Sequence, residues 1–162
     1  MKTSRLYLTL FAESDLDEAI ALFNEPDVMK YIFPLIDKTD EMRRVTLKVK
    51  IEEIKSDIGY FWTVRNYNHE LMGIVNLNPI PEKEDIQIGW IFSPRFAGKG
   101  FALEAAQLIF DFGVKEKKIS PIYAIIEDGN EKSIRLAQKL GMTLFEKYYQ
   151  EGILINKYIY KA

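Results

Sequence analysis

The sequence predicts an α/β (α+β) domain with a mixed, mostly antiparallel sheet of about six to seven strands, a central parallel βαβ unit, and helices on both faces. One observation is the order of three segments: an alternating strand-like run at 86–92, a helical pattern from Phe101, and a continuous apolar run at 122–126. Such a continuous run is typical of a strand buried on both faces, and strand–helix–strand order predicts a parallel, right-handed crossover. The other observation is that pairs of β-rich segments lie on both sides of this unit.

Composition favours a single domain spanning 1–162. With 48% hydrophobic and 28% charged residues, the chain is typical of a soluble globular protein, and its net charge of −2 gives no reason to expect nucleic-acid binding. No apolar run approaches the ~20 residues of a membrane span, and no signal-peptide core follows Met1. The absence of cysteine excludes disulfides, thiolate metal sites and a cysteine nucleophile. We expect a cytoplasmic monomer or homodimer that binds neither nucleic acid nor membrane.

The first predicted elements are a strand and a short helix. Residues 5–11 alternate well enough for a strand, and Ser14 is expected to cap a helix whose first turn is acidic. Pro26 forbids continuation of this helix. Residues 27–37, which include Tyr31, are rich in apolar side chains without a clean period. They form either a buried connector, which is preferred on sequence alone, or part of a substrate pocket.

The next segment, 39–56, fits two structures. Aliphatic residues between 45 and 51 alternate as in a strand, but the segment also has a broad apolar helical face, and its length and charged start favour a helix. The runs at 60–65 and 71–78 surround a polar loop and predict a β-hairpin. His69, the only histidine, lies in that loop and is interpreted as a solvated turn residue.

Glycine also interrupts the strand at 86–92. An interior glycine such as Gly89 often marks a bulge or a close approach of the backbone. The helix that follows the glycine turn is apolar over most of its surface, with Glu104 on the remaining polar stripe.

The last predicted elements are a helix and a hairpin. Asn130 is expected to cap the helix, and Gly141 ends it as the residue after the C-cap. Two β-rich segments, 143–149 and 153–160, then close the chain as an antiparallel pair.

The turn between the strand and the central helix has the features of an anion site. The first turn of a helix carries unpaired N–H donors and the positive end of the helix dipole. Gly98 and Gly100 remove side chains that would hold a phosphate away, while Arg95 and Lys99 add positive charge. A tight turn without a ligand explains the two glycines equally well. A P-loop is excluded because Phe101 follows the second glycine where a lysine is needed.

Three motifs in the right order resemble the GNAT N-acetyltransferases. Arg95-x-x-Gly98-x-Gly100 is similar to the acetyl-CoA pyrophosphate loop of that family, Gln/Arg-x-x-Gly-x-Gly/Ala. Its continuation through Glu104 resembles the branch that includes the ribosomal-protein (N-terminal alanine/serine) acetyltransferases. Two further blocks resemble that branch, namely 130–142 and the opening strand at 3–8. The resemblance spans nearly the whole chain and implies a GNAT-like fold, in which a bulge in the strand before the loop lets the pantetheine arm enter.

The same resemblance implies that acetyl-CoA is bound as a cosubstrate, without a metal. Backbone N–H groups of the strand before the loop would polarise the thioester carbonyl, and Asn130 would contact the pantetheine amides. The residues assigned to the cofactor are Ile91, Phe92, Arg95, Phe96, Ala97, Gly98, Lys99, Gly100, Phe101, Ala102, Asn130 and Ser133.

Proton donation to the departing thiolate is assigned to Ser133. Many GNAT enzymes use a tyrosine seven residues beyond the position of Asn130, but Ala137 stands there. In the ribosomal branch a serine at the place of Ser133 is the substitute. An equally good alternative is that Ser133 and Asn130 serve only the first turn of their helix.

The proton acceptor is not identified by the sequence. The family often carries a glutamate on the strand before the loop, but Gln87 stands at that place, and a glutamine cannot take a proton. Glu104 is the nearest alternative, and a solvated acid at the start of a helix is the preferred interpretation of it. Tyr31 and Gln87 are the residues expected to contact the acceptor substrate.

The predicted activity is direct acyl transfer from acetyl-CoA to a primary amine, on a protein or peptide N-terminus or on a small molecule. No Ser-His-Asp set and no cluster with metal-ligand spacing is present in the sequence. Direct transfer requires only positioning, charge stabilisation and proton movement. The alternatives are a non-catalytic acyl-CoA-binding module, for which Gln87 and Ala137 argue, and a structural domain with an unused glycine turn.

Overall fold

A computed structural model describes all 162 residues. Seven strands form one sheet in the order β1-β2-β3-β4-β5-β7-β6. The strands are β1 (Leu6–Leu10), β2 (Tyr60–Asn66), β3 (Leu71–Pro79), β4 (Ile86–Phe92), β5 (Ile122–Glu127), β6 (Thr143–Gln150) and β7 (Ile153–Tyr160). The helices are α1 (Leu16–Phe23), α2 (Phe33–Ile36), α3 (Asp40–Lys55), α4 (Phe101–Asp111) and α5 (Glu131–Lys139). A π-helical segment at Phe112–Glu116 continues α4.

The predicted mixed sheet is confirmed. Neighbouring strands are antiparallel except β4 and β5, which are parallel and joined through α4. The parallel ladder is short, because only Ile86 with Ile122 and Gln87 with Tyr123 are paired. Beyond Gln87 the two central strands separate, and this separation creates the cleft described below.

Each face of the sheet has its own core. A cluster of 20 buried residues lies under α4 and α5, and it includes Ile88 of β4 and Ile126 of β5. A cluster of 12 lies under α1 and α3, and Ile91 of β4 packs against it. Because side chains alternate along a strand, neighbouring residues of β4 and β5 face opposite helical layers.

Local side-chain contacts determine where the first helices begin. Ser14 makes no capping hydrogen bond, so the prediction that it caps α1 is wrong. Instead, the Asp15 carboxylate accepts from the N–H of Ala12 at 2.9 Å, and a 3-10 turn at Glu13–Asp15 precedes the helix. The Asp15 side chain makes no hydrogen bond to the N–H groups of α1, so this helix begins without a side-chain cap.

The helical interpretation of the segment after α2 is confirmed. Thr39 caps α3, because its Oγ1 accepts from the N–H of Met42 at 3.2 Å. The aliphatic residues that alternate between 45 and 51 therefore lie on a helix, where Leu47 and Ile51 are buried and Val45 and Val49 are exposed. No helix of the structure has both the length and the apolar character that crossing a bilayer requires.

Both predicted hairpins are present. The turn between β2 and β3 holds His69, which is exposed, as predicted, with its Nδ1 2.8 Å from Oη of Tyr7. Asn130 and Gly141 bound α5 as predicted. The Asn130 side chain accepts from the N–H of Ser133, and Gly141 has a left-handed φ of 83°.

Gly89 marks a close approach and not a bulge. The register between β3 and β4 runs without a shift from Gly73 opposite Phe92 to Pro79 opposite Ile86. A Cβ on Gly89 would lie 2.7 Å from Oδ1 of Asn76, directly across the ladder. The expected bulge in this strand is therefore absent. The cleft begins where the β4–β5 ladder ends, after Gln87.

Candidate active site

The gap between β4 and β5 opens into a cleft of about 350 Å³. Strands β3, β4 and β5 form its floor, and the segment before and within α2, α3 and the start of α5 form its walls. Its polar side chains include Tyr31, Asn76, Asn78, Gln87, Glu127 and Ser133. The cleft thus brings together both predicted substrate residues and the predicted catalytic serine.

The connector that contains Tyr31 lines this cleft. Met29 is buried and Ile32 packs against the core, so the segment is in part the buried connector that the sequence favoured, while Tyr31 lines the cleft as the alternative allowed. Tyr31 itself is half-buried and lies against the turn between β5 and α5, since a Cβ on Gly129 would be 3.8 Å from its Oη. Tyr31 therefore lines the cleft close to the start of α5.

The strand register divides the cleft into two sides. Gln87 lies opposite Asn78 and beside Tyr123, on the sheet face that carries α1 and α3. Because side chains alternate along β5, Ile125 and Glu127 lie on the same face as Tyr123. Trp90 and α5 belong to the other face. Groups that approach from the two faces meet where the strands have separated.

Ser133 is held at the edge of the cleft by two elements. Its Oγ accepts a hydrogen bond from Nε1 of Trp90 at 3.0 Å, which links β4 to α5. Its backbone N–H donates to Oδ1 of Asn130 at 3.4 Å. The helix-capping role that the sequence allowed is thus present, while the Asn130 amide nitrogen and the Ser133 hydroxyl proton have no protein partner.

The glycine turn holds a run of free donors. The backbone N–H groups of residues 98–103 donate to no protein acceptor. Gly98 and Gly100 have left-handed φ values of 80° and 79°, which L side chains rarely adopt, and the space beside Gly98 is open. The glycines are needed for the turn itself, and the turn presents six consecutive donors to one region.

The charged side chains of the turn differ in their freedom. Arg95 is exposed, lies over the Phe96 ring and reaches Glu25 at 3.4 Å. Lys99 is exposed, and its carbonyl accepts from Nη1 of Arg5 at 2.9 Å. Both cations are therefore accessible to an anion at the turn. The remaining predicted cofactor residues are part of the same structure, since Ala97 is exposed within the turn and Phe101 and Ala102 begin α4 against the core.

Glu104 does not point into the cleft as a free acid. It pairs with Arg5 and accepts from Thr3, so it ties α4 to the start of β1. Burial raises its pKa, but the hydrogen bonds from Arg5 and Thr3 outweigh burial and hold the pKa below its usual value. The interpretation of Glu104 as a simply solvated acid is therefore wrong, and the same ion pair makes it unsuitable as a base.

Ile91 and Phe92, the two residues of β4 that were assigned to the cofactor, differ in the direction of their backbone N–H groups. The N–H of Ser93 donates to the carbonyl of Met72 on β3, and N–H directions alternate along an antiparallel ladder. The N–H of Ile91 therefore faces β3, whereas the N–H groups of Trp90 and Phe92 face the gap toward β5. A ligand in the gap can accept from Phe92 but not from Ile91.

Three polar residues of the cleft, Asn76, Asn78 and Glu127, were not singled out by the sequence, and Glu127 is the acid among them. Glu127 is the last residue of β5, and its Oε2 is buried without a hydrogen-bond partner. Burial raises the pKa of this carboxyl. The sequence signal was an acid directly after the continuous apolar run at 122–126, but nothing local shows that it lacks a partner. No group of three or more acidic or histidine side chains is arranged to hold a metal ion.

Comparison with known proteins agrees with this geometry. Residues 5–143 match the Acetyltransferase (GNAT) domain family. The uncharacterized protein YkkB of Bacillus subtilis (strain 168) is 35% identical over 127 residues, which cover 75% of this chain and 71% of that protein. The uncharacterized N-acetyltransferase YnaD of the same organism is 28% identical and covers 93% and 88%. The spermidine N(1)-acetyltransferase of Escherichia coli (strain K12) is 32% identical over 88 residues, 54% of this chain and 46% of that protein.

Solved structures share the fold. A putative GNAT-family acetyltransferase from Bordetella pertussis superposes with a TM-score of 0.86 at 19% identity, covering 98% and 97% of the two chains. A ribosomal L7/L12 α-N-protein acetyltransferase in complex with coenzyme A gives 0.83 at 19% identity, covering 98% and 95%. Spermidine N-acetyltransferase from Vibrio cholerae superposes with a TM-score of 0.80 at 19% sequence identity, covering 98% of this chain and 96% of that chain. From the match over most of its length, the chain belongs to the GNAT family of acetyl-CoA-dependent N-acetyltransferases.

Proposed function

We propose that this enzyme acetylates the α-amino group of a peptide or of a small molecule, with acetyl-CoA as cosubstrate. The observation that carries the proposal is the position of two features relative to β4. Six free N–H donors follow the strand, at residues 98–103, and the cleft with its polar lining opens beside it. A long anionic thioester can therefore be held at one end while its reactive carbonyl lies in the cleft.

The turn from Arg95 to Ala102 is proposed to bind the CoA pyrophosphate. Its free N–H groups and the exposed cations Arg95 and Lys99 suit two adjacent phosphates. The pantetheine arm then follows the open edge of β4, where the N–H groups of Trp90 and Phe92 are available. The amide nitrogen of Asn130 lies on the opposite wall and is free to donate to a pantetheine carbonyl.

Ser133 is proposed to protonate the thiolate that leaves. Its oxygen already accepts from Trp90, so its own proton is free to be donated to a sulfur in the cleft. Gln87 and Tyr31 are proposed to orient the amine, because both line the cleft on the side of α1 and α3. The acceptor thus approaches from one face of the sheet and the thioester from the other.

The choice of an α-amine rests on proton chemistry. An α-amino group has a pKa of about 7.7–8.0, whereas a lysine side chain has one of about 10.4. Gln87 cannot take a proton, and whichever group does, its removal from an α-amine costs less than its removal from a lysine, so the α-amine is favoured. This choice agrees with the ribosomal-protein branch that the motifs resemble. The similarity to spermidine acetyltransferases makes a polyamine the second candidate, and it is the comparison substrate in the test.

The proposal also covers the domain organisation, the oligomeric state and the localisation of the enzyme. The family match ends at residue 143, and β6 and β7 complete the sheet beyond it, so we propose one catalytic domain over 1–162. A monomer or homodimer in the cytoplasm stays the prediction from sequence.

The test is thiol release from acetyl-CoA with a panel of amines. The panel contains a peptide with a free N-terminus, its N-blocked counterpart, spermidine and an amino sugar, and mass spectrometry locates the added acetyl group. We expect release with the free peptide and little with the blocked one. Binding of acetyl-CoA without release on any amine would replace this proposal by the non-catalytic binding module.

A further inference from the structure

We propose that Glu127 is the general base of this enzyme and that its carboxylate receives the ammonium form of the acceptor. The inference rests on the proposed function, since it assigns the proton acceptor for that reaction. Three observations carry it: the place of Glu127 in the cleft, its lack of a partner, and the engagement of other charged groups elsewhere.

The first observation is position. Glu127 ends β5 and lines the cleft together with Gln87 and Ser133. The alternation along β5 places it on the face of α1 and α3, as it places Gln87 on β4. Ser133 belongs to the opposite face. A proton acceptor on the acceptor side and a proton donor on the thioester side are the arrangement that acyl transfer to an amine needs.

The second observation is that the carboxylate is unpaired. Oε2 of Glu127 is buried and has no hydrogen-bond donor within reach. By contrast, the buried acid Asp15 is paired with Arg65 at 2.9 Å. The residue as a whole is half-buried, but a carboxylate oxygen buried without a partner is costly, so its partner is expected to come from a ligand. An ammonium group offers three donors and a positive charge, and it fits this place. Burial also raises the pKa of Glu127, which makes it a stronger base.

The third observation is that neighbouring charges are already engaged. Lys50 lines the cleft but binds Glu53 at 2.9 Å. Lys157 of β7 is buried, pairs with Glu146 at 3.5 Å and lies over the Tyr123 ring at 4.2 Å. No salt bridge reaches Glu127.

Other acids near the site are also engaged. Asp128, the next residue, accepts from Asn156 at 2.9 Å and pairs with Lys147. Glu104 is paired with Arg5, and Gln87 cannot accept a proton. Glu127 is therefore the carboxylate of the cleft that is free to act.

The proposed transfer forms a C–N bond and breaks the C–S bond of the thioester. Glu127 takes one proton from the ammonium, and the neutral nitrogen attacks the thioester carbonyl carbon, forming the C–N bond while the carbonyl electron pair moves to oxygen. When the carbonyl reforms, the C–S bond breaks and sulfur leaves with the bonding pair. Ser133 gives its proton to sulfur and regains one from the nitrogen. Glu127 returns its proton to solvent, so one proton is released for each acetyl group transferred.

The experiment compares Glu127→Gln with Glu116→Gln in the full chain. Glu116 is exposed and forms no salt bridge, so it is a matched control for the loss of one carboxylate. For Glu127→Gln we expect turnover of the free-N-terminus peptide to fall by about a hundredfold or more. Acetyl-CoA affinity, measured by calorimetry, should change less than about threefold. Glu127→Asp, which keeps a shorter carboxylate, should recover part of the rate.

Thermal unfolding supplies a readout that does not depend on activity. The pKa of Glu127 is raised in the folded state, so the ionised carboxylate destabilises the fold once the pH exceeds its unfolded-state pKa. Glu127→Gln should therefore unfold at a higher temperature than the wild type at neutral pH, and this difference should vanish at acid pH.

The outcomes separate the two proposals. Wild type without transfer to any amine overturns the proposed function. An active wild type with unchanged turnover in Glu127→Gln overturns the assignment of Glu127 alone. Loss of acetyl-CoA affinity in that variant, or a lower unfolding temperature at neutral pH, would make Glu127 a structural residue and also overturn the assignment.

Discussion

The indole N–H of Trp90 donates to Oγ of Ser133 at 3.0 Å, and this bond joins the central strand to the helix across the cleft. A serine oxygen has one proton and two acceptor sites. Because Trp90 occupies one acceptor site, the hydroxyl proton is directed away from the indole. Hydrogen bonds in series polarise one another, so the bond also makes Ser133 a better donor toward a leaving sulfur.

Replacing Ser133 with alanine should lower turnover by about one to two orders of magnitude, within the range for a positioned proton donor. Acetyl-CoA affinity should barely change, because the variant keeps the hydrogen bond from the backbone N–H at Ser133 to the side chain of Asn130. Stopped-flow thiol release and calorimetry measure the two quantities. Ser56→Ala, at an exposed site after α3, is the control. If affinity collapses while the bound complex still turns over, Ser133 is a binding residue.

Replacing Gly100 with aspartate should weaken acetyl-CoA binding by well over tenfold, more than about 1.4 kcal/mol. The new side chain adds a negative charge beside the free N–H groups that we assign to the pyrophosphate. Calorimetry on the folded variant measures the effect.

The chain offers a matched control for this substitution. Gly152 has a φ of 80° and open space around it, close to the 79° of Gly100, but it lies in the turn between β6 and β7. Gly152→Asp therefore carries the same left-handed strain and the same charge away from the cleft. Equal affinities in the two variants would contradict the assignment of the phosphate site.

The enzyme should acetylate a peptide α-amine faster than a lysine side chain near pH 7. An α-amine is neutral in about one molecule in ten at this pH, and a lysine in roughly one in 2,500, a difference of about 3.5 kcal/mol. Whichever group takes the proton, its removal from the lysine costs more. The comparison uses a free-N-terminus peptide and its N-blocked, lysine-containing counterpart from about pH 6.5 to 9.5. Faster acetylation of the blocked peptide near neutrality would contradict the argument.

Glu104→Gln should destabilise the fold by about 1 kcal/mol at neutral pH, because it removes the ion pair to Arg5. The pKa of Glu104 is lowered in the folded state, since the hydrogen bonds from Arg5 and Thr3 outweigh burial. The contribution of Glu104 to the free energy of unfolding is thus present above the pKa of a glutamate in the unfolded chain, about 4.3, and is lost as the pH falls through its pKa in the folded state. Urea unfolding of variant and wild type at neutral pH and near pH 3 checks this. An equal penalty at both values would assign the effect to packing.

Much of the fold follows from local patterns in the sequence. The apolar run that becomes β5 and the glycine turn before α4 predict the parallel unit, because burial on both faces and a left-handed turn each leave a local signature. Thr39 and Asn130 cap their helices through side chains within three residues. At the start of α1 the sequence predicts Ser14 as the cap, but the chain enters the helix through a 3-10 turn in which the Asp15 carboxylate accepts from the N–H of Ala12, and the helical pattern did not show this turn.

The site was predictable only in part. Ser133, Gln87 and Tyr31 do line one cleft, and the motifs that identified them are short. Glu127 was missed, because the absence of a partner is a property of the whole fold and not of neighbouring residues. Of the two interpretations of Gly89, the close approach is confirmed, and the bulge that the family resemblance implied is absent. Gly89 leaves room for Asn76 on the neighbouring strand β3. The local sequence does not show how β3 and β4 are paired, so it could not show this contact.

The short ladder between β4 and β5 has a mechanical consequence. Within the backbone ladder of the sheet, only two residue pairs join the half formed by β1 to β4 to the half formed by β5, β7 and β6. The backbone ladder is therefore shortest at the centre of the sheet. A bound thioester would act as the missing cross-link between the halves, and hydrogen exchange along β4 and β5 would slow when it binds.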